Sequence, residues 1–391
     1  MTVSPSEPPA AAPPPGQDAA PALRSPAEAA RAGTAAALEG RMLHGHARQR
    51  PADTALSAEA AALIAAAPAA NTTRAYTRAW ALYRAWCTQT GRTPLPATSA
   101  TLASFVAHLT GTPTRTGGPP APSTIDQALA CVLSAHTKAG MDKPSSAEAR
   151  AVLRAYRRQR AQAGHRTRQA PPITIDVLRR MIAATPVDGD GDGGPAGRLS
   201  ALRDRTALLL GFALMGRRAE LTAVDQEHLA VVPQGLEVFI PLSKTDRDAA
   251  GTTVAVPYGS HPDTCPVRTV QAWLAELHTR GLTSGALLRP VDRYGRIGGE
   301  AGWAGRGGTR LTASVLTTLV KNAARRAGLD DPDAYSAHSL RAGGATTLAE
   351  AGVPTAKIAA QGRWKPTSPT VNTYVRSAER WRDNPMGRAG L

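Results

Sequence analysis

The fold of this chain is decided by the stretch SAHSLRAGGATTLAEAGVPTAKIAAQGRWKPTSPTVNTYVR, residues 336–376, near its C-terminus. Small and apolar residues recur there at helical spacing and predict helices over 339–351 and 354–361. His338 and Arg341 are three residues apart, so one helical turn places both on the same side. The stretch therefore predicts two short helices that present a pair of basic side chains, followed by a turn and a late tyrosine.

Upstream of this stretch the pattern is also mainly helical, with one β signal. Val238–Leu242 and Thr252–Val256 are mostly apolar, β-rich runs on either side of the polar loop SKTDRDAAG, which predicts an antiparallel hairpin. These elements predict a mainly α domain with a small sheet, of the α+β class, that begins near Ile173. Further helices are predicted over 175–184, 198–215, 219–229, 266–280 and 312–328.

The N-terminal part of the chain divides into a tail and a helical domain. Residues 1–56 are rich in Ala and Pro and contain no aromatic residue, so we expect a disordered tail. The domain predicted over 57–165 is followed by a linker, 166–172, and by the second domain, 173–391. Its four helices are predicted from Thr72 to about Gly91 and over 99–110, 123–138 and 146–163.

The charge of the chain favours a polyanionic partner. The formal net charge is +16, and because five Arg and five acids cancel within residues 1–56, the excess lies in the rest of the chain. Residues 141–170 alone hold eight basic and two acidic side chains, a net +6. Such a run is usually a solvated helix face, but the interleaved acids of such a face are missing here. We therefore predict DNA phosphate contacts by Arg154, Arg157, Arg158, Arg160, Arg166 and Arg168.

Several classes of protein are disfavoured by the same sequence. Cys87, Cys131 and Cys265 are far apart and lack CxxC spacing, so we expect neither a disulfide framework nor a metal site. The sequence has no run of eighteen apolar residues and no charged segment followed by an apolar run at its start. Secretion and membrane spanning are therefore not expected.

Three separated groups of residues carry the chemistry. Arg217 and Glu220 lie at the junction of two apolar helices, and Lys244 lies in the hairpin loop. Taken alone, the first pair could be an ordinary ion pair and the lysine a solvated surface residue. Together with His338 and Arg341, however, two arginines can clamp a phosphodiester while a lysine protonates the departing oxygen. Arg218 could replace Arg217 if the helix began at a different residue.

The third group, which contains His338 and Arg341, also supplies a nucleophile. Tyr374 can attack phosphorus, but a phenol with a pKa near 10 needs a group that removes its proton, and His338 is a candidate for that role. Tyr335 and Tyr258 are rival nucleophiles, although neither follows the Gly362-Arg-Trp turn.

These residues carry a resemblance to a known family. Residues 57–391 resemble the tyrosine recombinases, or phage integrases, and are most similar to the Cre-like members. The resemblance implies a SAM-like core-binding domain followed by an integrase-type catalytic domain. Trp364 lies ten residues before Tyr374, where the family usually shows nine, and we expect the extra residue in the Lys365–Pro369 loop. The family's catalytic pattern falls on Arg217, Glu220, Lys244, His338, Arg341, Trp364 and Tyr374.

The family also implies partners and a mechanism. We expect a homotetramer on double-stranded DNA with short inverted core sites, a 3′-phosphotyrosyl intermediate and a Holliday junction, without metal, nucleotide or other cofactor. Such a protein would be cytoplasmic, DNA-associated and encoded by a bacterium or a phage. After the tyrosine, Val375–Trp381 is predicted to be a short helix that docks on a neighbouring protomer.

Two other functions remain open on the sequence. A type IB topoisomerase would use nearly the same residues to relax a single duplex. A DNA-binding regulator without catalysis would use the segment 348–358, whose small residues and glycine have the spacing of a helix-turn-helix.

Overall fold

The structure is a computed structural model in which the chain divides into two compact units, residues 1–166 and 167–391. Within these units the structure describes residues 56–66, 70–114, 117–165, 169–187, 194–243, 250–303, 305, 308–365, 368–379, 384, 386 and 389. The predicted tail thus lies, apart from Leu56, outside the described residues. None of the described helices combines the length and apolar character that a membrane span requires.

The first unit is helical. All four predicted helices are confirmed, and a fifth helix precedes them. The additional helix consists mostly of Ala, which favours helix formation but gives no contrast between an apolar and a polar face for a periodicity search to find. The helices are α1 (Ala58–Ala66), α2 (Ala70–Gln89), α3 (Ser99–Gly111), α4 (Pro122–Lys138) and α5 (Ala147–Gln162).

Aromatic side chains of α2 and α3 form the centre of this unit's core. The rings of Tyr83 and Trp86 lie 4.9 Å and 5.3 Å from that of Phe105, measured between centroids. Beside them, the fully buried His136 accepts a hydrogen bond at Nε2 from the amide of Ala97, at 2.9 Å. The first unit therefore has its own packed core, and its exposed basic helix α5 forms part of its surface.

The second unit is mainly helical with one small sheet, which confirms the predicted fold class. The predicted helix over 219–229 is wrong in its second half, because the chain leaves the helix at Ala223 and enters a strand at Leu229. The elements are α6 (Ile175–Ala183), α7 (Gly194–Ala213), α8 (Arg218–Ala223), β1 (Leu229–Val232), β2 (Gly235–Ile240), β3 (Thr252–Pro257), α9 (Pro266–Thr279), α10 (Ala313–Arg326), α11 (Ala337–Glu350), α12 (Thr355–Gln361) and α13 (Pro369–Glu379).

The sheet is antiparallel, with strand order β1-β2-β3, so the predicted hairpin is confirmed and one strand more is present. On β2, Leu236, Val238 and Ile240 point into the core, while Glu237 and Phe239 point outward. Residues 241–251 connect β2 to β3, and 244–249 of them lie outside the described residues.

Two glycines let α11 pack closely against its neighbours. A Cβ atom on Gly344 would lie 2.6 Å from Cγ of Met215 and 2.9 Å from the carbonyl oxygen of Phe212. A Cβ atom on Gly343 would lie 1.7 Å from the carbonyl oxygen of Ile173. Because both positions lack a side chain, α11 reaches the end of α7, and the basic residues of its first turns lie next to the start of α8.

Candidate active site

Arg217 lies at the start of α8 and is held by Glu220 in two ways. Its backbone amide donates to Oε2 of the carboxylate at 2.9 Å, which caps the helix, and its Nη1 donates to Oε1 at 2.5 Å. The same Nη1 donates to Oγ of Ser243 at 3.1 Å. Arg218, the alternative from the sequence, is exposed on α8. The pairing expected between residues three apart is therefore formed by Arg217.

A third arginine completes this cluster. Arg363 donates from Nη2 to Oε2 of Glu220 at 2.8 Å and from Nη1 to the carbonyl oxygens of Leu214, at 3.1 Å, and Gln361, at 3.3 Å. The carboxylate is buried, with 3% of its side chain exposed. Burial alone raises the pKa of Glu220, but the hydrogen bonds from Arg217 and Arg363 outweigh it, so the pKa lies below its usual value.

Arg363 was not singled out from the sequence. A charged residue in the turn after α12 gives no local signal, because a charge in a turn is costly only where the fold buries it. The partner, Glu220, lies 143 residues away along the chain, and no local pattern connects the two.

Arg341 is the most deeply buried of the predicted site residues that the structure describes, with 2% of its surface exposed. Its Nη1 donates to the carbonyl oxygen of Met215, and its guanidinium carbon lies 3.8 Å from the ring centroid of Trp364. Among the described residues, Nη2 has no hydrogen-bond partner. Burial, together with the positive charge of Arg217, lowers the pKa of Arg341 to about 10.

Trp364 reaches Arg341 because the turn before it is tight. A Cβ atom on Gly362 would lie 1.9 Å from Cζ3 of Trp364, so only glycine lets the indole fold back over the turn. The indole also lies 5.8 Å from the ring of Tyr374, measured between centroids. The longer spacing between these two residues therefore leaves Trp364 at the site.

His338 and Tyr374 are in direct contact. The phenol Oη lies 2.9 Å from Nε2 of the imidazole. His338 is positioned by the start of α11, where its backbone amide donates to the side chain of Ser336 at 3.2 Å. The two side chains border a cleft of about 490 Å³. It is lined by Gln169, Ala170, His338, Ala342, Pro369, Thr370, Thr373 and Tyr374.

The surroundings shift both groups of this pair. Removal from water, together with the charges of Arg341 and Arg217, lowers the pKa of His338 below its usual value. Burial raises the pKa of Tyr374, and the nearby charge of Arg341 opposes that shift only in part. At neutral pH the imidazole is therefore neutral and the phenol is protonated, which is the state in which one can take a proton from the other.

Tyr374 lies within a helix, whereas we predicted that a helix would begin after it. The helix α13 spans Pro369–Glu379. The longer loop ends at a proline that is suited to the first turn of a helix, because its missing N–H has no partner there in any case. The helix presents Tyr374 toward His338 and buries Val371 and Val375.

The rival tyrosines make other contacts. The guanidinium carbon of Arg268 lies over the ring of Tyr258, 5.4 Å from the ring centroid, and Tyr258 borders a different cavity. Tyr335 packs against the main core of the second unit. The tyrosine hydroxyl that contacts His338 is that of Tyr374.

Some predicted residues lie outside the described part of the chain. Lys244 is one of them, although Ser243, which precedes it, contacts Arg217. Arg166 and Arg168 also lie outside it. Among the residues that the structure does describe, no group of three or more His, Cys, Asp or Glu is placed to hold a metal ion.

The remaining predicted arginines lie on α5. Arg154, Arg157 and Arg158 are exposed on α5, and Arg157 forms an ion pair with Asp126, at 3.6 Å. Arg160 is partly buried, and its Nη1 donates to the carbonyl oxygens of Pro119 and Pro120, at 3.0 Å each. The exposed arginines thus keep their guanidinium groups at the surface, whereas Arg160 also holds the segment before α4.

Comparison with known proteins gives a consistent result. The phage integrase family model matches residues 199–380, which include every predicted catalytic residue. The "Integrase/recombinase xerD homolog" of Selenomonas ruminantium is 28% identical over 339 residues, which cover 85% of this chain and 89% of that protein. The "Recombinase cre" of Escherichia phage P1 is 23% identical over 313 residues, which cover 77% of this chain and 82% of that protein.

Solved structures that resemble the chain include two recombinases bound to DNA. The Tn1549 transposon integrase in complex with transposon right end DNA is 13% identical, with a TM-score of 0.49, over 83% of this chain and 95% of that one. The XerH site-specific recombinase bound to its difH substrate in a post-cleavage complex is 15% identical, with a TM-score of 0.47, over 75% and 72%.

The family match covers α7 to α13, which carry the described residues of the site. It also favours an enzyme over the non-catalytic regulator that the sequence left open. Residues 199–380 form a phage integrase family domain, and the chain is a site-specific tyrosine recombinase.

Proposed function

We propose that this recombinase cuts a DNA strand by attack of the Tyr374 hydroxyl on a phosphodiester. The Oη–P bond forms, the bond from phosphorus to the 5′ oxygen breaks, and the products are a 3′-phosphotyrosyl linkage and a free 5′ hydroxyl. The observation that carries the proposal is the contact of Tyr374 Oη with His338 Nε2, at 2.9 Å, next to a cluster of buried arginines. Rejoining is the reverse reaction, with a 5′ hydroxyl as the nucleophile.

The charge of the cluster fits a phosphoryl transition state. Arg217, Arg341 and Arg363 supply three positive charges and Glu220 supplies one negative charge, a net +2. A phosphodiester carries one negative charge, and its oxygens carry a second as the phenolate adds. Since Arg341 Nη2 has no partner among the described residues, a non-bridging oxygen would satisfy a donor that is otherwise costly to bury.

The proton of the phenol has an acceptor. His338 is held neutral by its depressed pKa, so its Nε2 can take the proton of Tyr374 as the Oη–P bond forms. The departing 5′ oxygen needs a proton in turn, and we assign that role to Lys244, which follows Ser243, a residue that contacts Arg217. No metal or nucleotide is required, because the phosphotyrosyl bond keeps the free energy of the bond it replaces.

Double-stranded DNA is the proposed partner. Arg154, Arg157 and Arg158 lie exposed on one helix, and a net charge of +16 favours association with a polyanion. The two curated proteins that resemble the chain are a recombinase and an integrase/recombinase, which fits the same partner. We further propose that four copies assemble on two short inverted core sites and exchange strands in sequence, through a Holliday junction.

The proposal is tested by trapping covalent complexes. The protein is incubated with sheared DNA from its own genome, complexes that resist detergent are collected, and the attached DNA is sequenced. We expect one recurring site, a 5′ end that a kinase labels without prior dephosphorylation, and a nucleotide attached to a peptide that contains Tyr374. A 5′-linked protein, or no covalent complex, would contradict the proposal.

The same experiment separates recombination from topoisomerase activity. A supercoiled plasmid that lacks the recovered site should stay supercoiled, whereas a plasmid with two copies should yield recombinant circles. Relaxation of both plasmids at equal rates, without recombinants, would instead favour a type IB topoisomerase.

A further inference from the structure

The turn between α12 and α13 carries a buried arginine that the proposed chemistry does not itself use. We infer that Arg363 is a positioning residue, which holds Arg217 in place through the shared Glu220 carboxylate and fixes the turn that presents Trp364 to Arg341. The inference rests on the proposed function, because it assigns Arg217 and Arg341 to the phosphate. It goes beyond that function by naming a residue that aligns the phosphate-binding arginines.

The first support is the geometry of the shared carboxylate. Oε1 of Glu220 accepts from Nη1 of Arg217 at 2.5 Å, and Oε2 accepts from Nη2 of Arg363 at 2.8 Å. One carboxylate thus lies between the two guanidinium groups. If Arg363 were removed, the buried carboxylate would keep, among the described residues, Arg217 as its one ion-pair partner and would be free to rotate. Arg217 would rotate with it.

The second support is the conformation of the turn. Arg363 has a φ of +55°, in the left-handed region that few residues other than glycine adopt. Such a backbone persists only where the surrounding contacts enforce it, and here Nη1 of Arg363 donates to the carbonyl oxygens of Leu214 and Gln361. The next residue, Trp364, covers the guanidinium of Arg341. The side chain of Arg363 therefore anchors the turn from which the indole projects.

The third support is that Arg363 itself cannot reach a substrate. Only 6% of its side chain is exposed, and its terminal nitrogens face the carboxylate and two carbonyl oxygens. By contrast, 25% of the Arg217 side chain is exposed. Any effect of Arg363 on catalysis must therefore pass through the residues it holds. This separates it from a phosphate ligand and predicts that its effect depends on Arg217.

The test is a double-mutant cycle of Arg363 and Arg217, with a nicked DNA duplex as the substrate. The duplex carries the genomic site that the protein binds most tightly, with a nick near the scissile phosphate so that cleavage cannot be reversed. We expect Arg363→Met to slow formation of the covalent complex about 10- to 100-fold, the size typical of residues that orient a ligand from behind. The dissociation constant of the duplex should change less than about twofold, because Arg363 does not contact DNA.

Dependence on Arg217 is the decisive arm of the cycle. In an Arg217→Ala background, Arg363→Met should slow cleavage at least about threefold less than it does in the wild-type background, because one of the two groups it positions is absent. Arg363→Lys keeps a positive charge next to Glu220 and should recover part of the cleavage rate. It also controls for the possibility that the slow cleavage of Arg363→Met comes from misfolding. The matched control is Arg289→Met. Arg289 is another buried arginine, with 6% of its surface exposed, and it donates to the carbonyl oxygens of Ala286, Gly298 and Ser284.

Arg289→Met should lower the thermal stability but leave the cleavage rate of folded protein unchanged. Equal slowing by Arg363→Met with and without Arg217 would overturn the inference, and so would a wild-type rate in Arg363→Met. If the wild-type protein forms no covalent complex while it still binds the duplex, the proposed function itself is wrong, and the role of Arg363 fails with it. The two failures are thus distinguished by the wild-type arm.

Discussion

The buried carboxylate of Glu220 allows a prediction whose magnitude follows from its contacts. It accepts three hydrogen bonds, from the amide and Nη1 of Arg217 and from Nη2 of Arg363. In Glu220→Gln the shape is kept, but the charge is lost and one of the two acceptor atoms becomes a donor. At least one guanidinium then faces an N–H group instead of an oxygen. The substitution thus breaks an ion pair that is shielded from water, since only 3% of the Glu220 side chain is exposed.

Breaking such a buried pair costs about 3–5 kcal/mol, because the remaining charge is left without compensation. For a unit of ~150–250 residues, each kcal/mol lowers the melting temperature by about 2–4 °C, so we expect a loss of ~6–20 °C. The melting temperature is measured by differential scanning calorimetry on the full chain. Leu153 lies in the core of the first unit, so the unfolding transition that shifts in Leu153→Ala belongs to that unit and can be told apart from the transition of residues 167–391.

The matched control is Glu237→Gln, which makes the same chemical change on the exposed side of β2 and should cost less than about 0.5 kcal/mol. The stabilisation by Glu220 should also depend on pH. Because its pKa is lower in the folded state, the stabilisation is complete above the unfolded pKa and is lost as the pH falls through the folded one. The gap between wild type and Glu220→Gln should therefore narrow in acid. A gap below 1 kcal/mol at neutral pH would refute the assignment of this carboxylate to two arginines.

Three further predictions concern the base, the packing of α11 and the anion site. Because the pKa of His338 is lowered from 6.5, the rate of single-turnover cleavage should fall in acid, with a midpoint below that value. In His338→Gln this dependence on acid should disappear, and the cleavage rate should instead rise with pH from about 7 to 9. Gly343→Ala places a Cβ atom 1.7 Å from the carbonyl oxygen of Ile173 and should lower the free energy of unfolding in urea by about 1–3 kcal/mol. In the control, Gly197→Ala, the new Cβ atom on a helix has nothing within 4 Å, so the free energy of unfolding should stay the same or rise by up to about 1 kcal/mol. Inorganic phosphate should raise the melting temperature of the wild type more than that of Arg217→Ala, since a ligand stabilises the state that binds it; equal shifts in thermal denaturation would place the bound phosphate elsewhere.

Much of the fold follows from local patterns in the sequence. Most helices of both units were predicted within a few residues, because their apolar spacing, prolines and glycines are local signals. The error over 219–229 has a tertiary cause. Asp225 accepts from Nη2 of Arg310 at 2.5 Å, and the amide of Gln226 donates to the carbonyl oxygen of Gly285. These distant partners pull the chain out of a helix that its periodicity favours.

Some residues of the site could be predicted from local patterns, whereas others depend on tertiary contacts. The spacing of His338 and Arg341 within one helical turn could be read locally, and so could the late tyrosine. That Trp364 keeps its place despite the longer spacing could not, since it depends on how the turn folds over Arg341. Arg363 was missed because its burial and its left-handed backbone are set by contacts with Leu214 and Glu220.

The central claim, that Tyr374 becomes covalently joined to DNA, is tested most directly by comparing two tyrosine variants on the nicked duplex. Tyr374→Phe removes only the hydroxyl that contacts His338, and Tyr258→Phe makes the same change at a tyrosine that lies under Arg268. We predict that Tyr374→Phe binds the duplex with wild-type affinity and forms no detergent-resistant complex, while Tyr258→Phe forms it at the wild-type rate. Covalent complex formed by Tyr374→Phe at the wild-type level would contradict the account.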